Sequence, residues 1–245
     1  MPGPLIVSET TFSGFEAIEV RNDFISLIII PTLGGKIISL KHIPSNREWL
    51  AQNPHLPLKQ ANYGESFTEL HDTGGLDECF PSVAAIRYPE SEKNDIPDHG
   101  DLWCQPWDLN LVLESDEKII IDMVCQCIAI PVCFKRRLSL EANSSTLTLD
   151  YEVSNQSAKP LPFVWSIHPI LQIETGMFLS LPTCVDTLRI DGSSDGFVDR
   201  AGGLCDWPTV NQGAHRGLDL SRIPDADFGH AAKFYTQPLQ GSGVV

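Results

Sequence analysis

At 245 residues, with 42% hydrophobic and 20% charged side chains, the chain has the composition of an ordinary folded domain and the length for one large core. Its 17 basic against 32 acidic residues leave a formal net charge of -15, which repels a phosphate backbone and argues against nucleic acid as a partner. No apolar run approaches the roughly 20 residues of a membrane-spanning helix: the stretch from Phe24 to Ile30 is interrupted by Ser26 and stopped by Pro31.

The N-terminal MPGPLIVSETTF has no basic residue ahead of its short apolar patch and no small-residue cleavage site, so no secretory signal is read and a cytoplasmic protein is expected. In chain order, period-two alternation with β-branched residues predicts strands over Phe15–Arg21, Phe24–Ile30, Lys36–Lys41, Asp108–Glu114, Lys118–Val124, Val132–Leu140 and Thr146–Val153. Short turn signals such as Arg21-Asn22-Asp23 and Glu114-Ser115-Asp116 join them as antiparallel neighbours. No segment carries a capped helical stripe. Two stretches, Ala51 to Asp98 and Ile190 to Asp227, are rich in Gly, Pro, Asp and His and read as long loops, the usual place for a functional site. With no repeat and no linker, the expected architecture is all-β: one domain, residues 1–245, built as a large antiparallel β-sandwich.

Two histidines are locally framed. His99 lies in PDHGDLWCQPW, between Asp98 and Gly100, and His168 closes the apolar strand Leu161 to Ile167 and precedes Pro169. Imidazole near neutrality suits proton transfer, although a histidine merely hydrogen-bonded in a core or loop is the alternative for each. Trp103, Trp107, Trp165 and Phe80 cluster near them in sequence and could line a pocket or simply pack the core. His42, His55, His71, His215 and His230 read as surface residues. Lys135-Arg136-Arg137 reads as a solvated strand rather than an anion site. The seven cysteines have no metal-finger or disulfide-framework spacing and read as reduced, mostly core, thiols. Without HExxH, a P-loop, a GxSxG elbow or a dinucleotide fingerprint, no metal and no cofactor are expected.

Several segments in order carry a resemblance. Pro31-Thr32-Leu33-Gly34-Gly35-Lys36-Ile37-Ile38-Ser39-Leu40 followed by Arg47-Glu48-Trp49-Leu50, then Gly74-Gly75-Leu76-Asp77-Glu78-Cys79-Phe80-Pro81, PDHGDLWCQPW, and Phe163-Val164-Trp165-Ser166-Ile167-His168-Pro169 together resemble the aldose 1-epimerase (galactose mutarotase-like) superfamily. The resemblance implies a β-supersandwich and an isomerase that interconverts sugar anomers without cofactor. By it, His168 is the acid that protonates the ring oxygen and His99 a sugar contact near that oxygen. The family's glutamate base belongs to strands expected beyond a segment like Ala232 to Leu239. Here the chain reaches Val245 as a new strand begins, so it reads as lacking its last strands, and no residue matches that base. Glu78 and Asp77 are the replacement carboxylates to consider, with Trp103 and Trp165 as further sugar contacts. Thr73 stands where sugar-phosphate relatives carry arginine, and with the acidic charge this implies an unphosphorylated, hexose-like sugar. The alternatives are a carbohydrate-binding protein without turnover, and another sugar isomerase or lyase on the same scaffold.

Overall fold

Strands of this chain form where apolar residues alternate, and the strand Val132–Glu141 shows the rule: Val132, Phe134, Leu138 and Leu140 are buried on one face while Cys133, Lys135 and Arg137 are partly exposed on the other. The structure, a computed structural model, describes residues 4–87, 95–194, 202–211 and 215–239. The described residues fall in two compact units, Met1–Gln172 and Ile173–Val245. Gly241 to Val245, where the sequence suggests a new strand, lie outside the described residues.

The first unit holds β1 (Ile6–Phe12), β2 (Phe15–Arg21), β3 (Ile25–Ile30), β4 (Lys36–His42), β5 (Arg47–Glu48), α1 (Phe67–Leu70) and β6 (Gly75–Cys79). It continues with β7 (Ile86–Arg87), β8 (Asp95–Ile96), β9 (Asp108–Glu114), β10 (Lys118–Gln126), β11 (Val132–Glu141), β12 (Leu147–Asn155) and β13 (Ser166–Ile170). One sheet runs β1-β2-β3-β4-β6-β13, with β5 beside β4, and a second runs β12-β11-β10-β9. Every pairing between these strands is antiparallel. A core that includes Leu27, Ile29, Ile37, Leu76 and Phe80 from the first sheet and Ile119, Ile121, Phe134 and Leu138 from the second fills the space between them. All seven strands expected from alternation are present, with ends shifted by at most a few residues.

The stretch 51–98, expected as loop, is not structureless. It supplies β6, which sits inside the larger sheet between β4 and β13. All five β6 residues are buried, so both faces are covered and no alternation marks the strand. The same stretch supplies α1, a single turn whose Ser66 hydroxyl accepts from the Glu69 amide at 3.3 Å, too short to leave a helical stripe. The basic cluster also differs from expectation. Lys135 and Arg137 do lie on the outer face, where both hold Asp122, but Arg136 is 0% exposed. The alternation itself puts it there, between Phe134 and Leu138.

The second unit contains β14 (Thr187–Ser193), β15 (Leu204–Asp206) and β16 (Ala232–Thr236), paired in the order β15-β14-β16. Ile190, Cys205 and Val210 form its small core, with Leu218, Leu220 and Phe234 against them. The stretch from Ile190 to Asp227 thus includes strand as well as loop.

Candidate functional site

The pairing of β6 with β13 sets which side chains can meet. His168 is opposite Asp77 and Ser166 opposite Cys79, so Asp77, Cys79 and His168 share one face, while Glu78 and Ile167 take the other. The Glu78 face looks into the sandwich, and the His168 face looks away from the second sheet.

His99 reaches the same outer face from a loop. Gly100 bridges to Phe80; the Asp101 amide donates to the Phe80 carbonyl at 2.9 Å and the His99 amide to the Val83 carbonyl at 3.1 Å. A Cβ on Gly100 would stand 2.0 Å from the Phe80 oxygen, so only glycine lets the loop cross β6 this closely. His99 itself has φ 65, a left-handed conformation sparsely used by residues with side chains and concentrated at functional positions. Buried Asp101 ties the loop to the β10–β11 connection, its Oδ2 accepting from the Ile128 and Ala129 amides at 2.8 Å each. Gly34 packs on the same loop, since a Cβ there would meet the Trp103 backbone at 2.5 Å. The segment PDHGDLWCQPW is therefore clamped from both ends.

The outcome is an aromatic and imidazole cluster. The His99 and His168 rings lie 4.9 Å apart, edge to face. Phe67 stacks on His99 at 4.2 Å and meets His168 edge-on at 5.8 Å; Trp103 packs on Phe67 at 5.2 Å. Asp98 Oδ2 is 3.1 Å from His99 Nδ1, but that nitrogen and His168 Nδ1 are both buried without a hydrogen bond. Burial, then the neighbouring His99, holds His168 below the ordinary histidine range, so it is a neutral imidazole at pH 7. Beside it, Asp77 forms a buried ion pair with Lys36, whose Nζ also donates to the Gly74 carbonyl at 2.8 Å. Lys36, Phe67, His71, Thr73, Asp77 and Trp103 line a cavity of about 20 Å³, room for a single water rather than a pyranose.

Of the residues expected at the site, His99, His168, Asp77 and Trp103 come together. Glu78 and Trp165 do not. Glu78 is 0% exposed on the opposite face, accepting from Tyr151 at 2.6 Å, from Arg136 at 3.2 Å and from Trp165 Nε1 at 2.9 Å. Burial pushes its carboxyl upward, against the pull of Arg136 and the other donors. Sequence reasoning missed Phe67, Lys36, Cys79 and His71. His71, expected at the surface, is buried, with Nε2 2.8 Å from Glu65 Oε2. A lysine interrupting the apolar alternation directly after Gly34-Gly35 is the signal that could have exposed Lys36; nothing local marks Phe67.

No family model matches the chain, and no curated protein matches it by sequence. Solved structures do. A TPR-domain-containing protein from Parabacteroides distasonis ATCC 8503 aligns over 88% of this chain and 36% of its own, at 15% identity and TM-score 0.55. YeaD from Salmonella typhimurium, described as a candidate mutarotase, aligns over 84% and 67%, at 16% identity and TM-score 0.53. A galactose mutarotase-like protein from Clostridium acetobutylicum aligns over 77% and 60%, at 19% identity and TM-score 0.50. The fold is that of the galactose mutarotase-like β-sandwiches. The chain spans between about a third and two thirds of the length of these mutarotase-like and TPR-containing structures.

Proposed function

We propose that this protein interconverts the α and β anomers of a free, hexose-like sugar, and that His168 and His99 carry the chemistry. The observation behind this reading is the pair of imidazole rings 4.9 Å apart on one face of a mutarotase-like sheet. Opening a hemiacetal passes the O1 proton to a solvent water, breaks the C1–O5 bond to leave a carbonyl at C1, and places the His168 proton on O5. Rotation about C1–C2 and reclosure give the other anomer, so atoms balance without a cofactor. His168 donates to O5 and His99 holds the oxygen in place; the sugar rests over the partly exposed edge of His168, since the neighbouring cavity is too small to take it. Phe67 packs against both imidazoles, and Trp103 packs on Phe67. Thr73 in place of an arginine, together with the net charge of -15, supports an unphosphorylated substrate. Seven thiols with none in a disulfide are compatible with a cytoplasmic setting.

Sugar binding without turnover is the second reading. It is favoured by the orientation of Glu78, which is sealed on the far side of the sheet, leaving Asp77, already paired with Lys36, as the carboxylate beside His168. Polarimetry on freshly dissolved α-glucose and α-galactose, run beside calorimetric titration of the same sugars, separates the two. Mutarotation faster than buffer supports the epimerase; binding heat with an unchanged rotation rate replaces it with the binding protein.

A further inference from the structure

We propose that Cys79, His99 and His168 form a three-ligand site for a borderline divalent cation of the zinc type, and that its occupancy blocks the imidazoles for sugar chemistry. One donor atom from each of the three residues lies within 4.8 Å of the other two. The set is one thiol and two imidazoles, the soft and borderline donors that select zinc over magnesium or calcium.

The backbone explains why they meet. Cys79 and His168 stand on the same face of adjacent strands, two positions apart in register, at the diagonal spacing where long side chains touch. His99 is delivered to them by the Gly100 crossing over Phe80, next in the chain to Cys79. Tetrahedral zinc with these donors needs separations of about 3.3–3.6 Å, so closing the triangle takes roughly an ångström of side-chain rotation and no change of strand register.

Two further features point to a ligand. The buried Nδ1 atom of His168 lacks a hydrogen bond, an unusual state for a buried polar atom. Asp98 Oδ2, 3.1 Å from His99 Nδ1, supplies the outer carboxylate that commonly orients a ligating imidazole. His168 is only partly buried, which leaves a fourth coordination position for water on its open side. Binding would release the Cys79 thiol proton to solvent.

The test is titration of the reduced protein with Co²⁺, read by absorption, followed by displacement with Zn²⁺. The expected result is a thiolate-to-cobalt charge-transfer band with the visible bands of a tetrahedral site, both abolished by one equivalent of Zn²⁺. Cys79→Ser should remove the charge-transfer band, and His168→Gln, at a partly exposed position that tolerates change, should weaken affinity about 10–100-fold. Circular dichroism checks that each variant is folded. Absence of the band in the wild-type protein, or its persistence in folded Cys79→Ser, overturns the site. The blocking effect rests on the epimerase reading: Zn²⁺ should slow anomer exchange and a chelator restore it. A cobalt band in a protein with no anomer exchange defeats that reading alone, and anomer exchange with no cobalt band defeats the metal site alone.

Discussion

His99 owes its position to a glycine it does not touch. A side chain at residue 100 would collide with the Phe80 carbonyl, and φ there is +78, so Gly100→Ala is strained twice over. Its expected cost is about 2 kcal/mol or more, seen as a lower urea midpoint with unchanged slope. An unchanged midpoint would mean that the crossing is looser than described. Within PDHGDLWCQPW the composition shows histidine, glycine and tryptophan, and the resemblance gives them an order. Neither shows that Phe67 lies under the ring, because that contact joins residues 32 apart through a single helical turn. Cys79 was legible only as one of several core thiols.

At the level of strands, alternation was the most informative signal and also the one most easily underused. Asp77-Glu78-Cys79 in a strand must send Glu78 to the face opposite its two neighbours, and that step alone separates Glu78 from the side that Asp77 and Cys79 share. The same step places Arg136 among Phe134, Leu138 and Leu140. Glu78 and Arg136 then meet: the guanidinium sits 5.0 Å over Trp107 and bonds Glu78 and the Gly35 carbonyl, linking the sheets through the sandwich. Removing one member leaves a buried charge alone, so Glu78→Leu or Arg136→Met should each cost about 3–5 kcal/mol. The double replacement should cost much less than their sum in the same urea experiment. Additive losses would show that the two are not coupled. β6 itself was invisible because burial on both faces erases alternation; the apolar run Leu161 to Ile167 overlaps β13 only at Ser166 and Ile167, so His168 is the middle residue of its strand and not the end.

Over the whole molecule, the sandwich class was legible from seven alternating segments, whereas strand order was not, because the pairing of β4, β6 and β13 joins segments some 40 to 90 residues apart. The described residues include no helix long and apolar enough to cross a membrane. They do include an exposed apolar strip leading into and along β13: Phe163, Val164, Trp165, Ile167 and Leu171, with Val164 56% exposed. The folded protein should therefore enhance the fluorescence of an apolar dye, and Val164→Lys should lower that signal; an equal signal would place the dye elsewhere. The sugar chemistry proposed for His168 belongs to the other face of the same strand. Saturation-transfer NMR of glucose anomers, run with wild-type protein and with folded His168→Gln at pH values on both sides of 6.5, tests it most directly. An acid whose folded pKa lies below 6.5 is protonated only as pH falls, so the account predicts exchange faster than buffer, rising toward acid and lost in His168→Gln. A folded wild-type protein with no acceleration, or a His168→Gln variant that keeps the full rate, would contradict it.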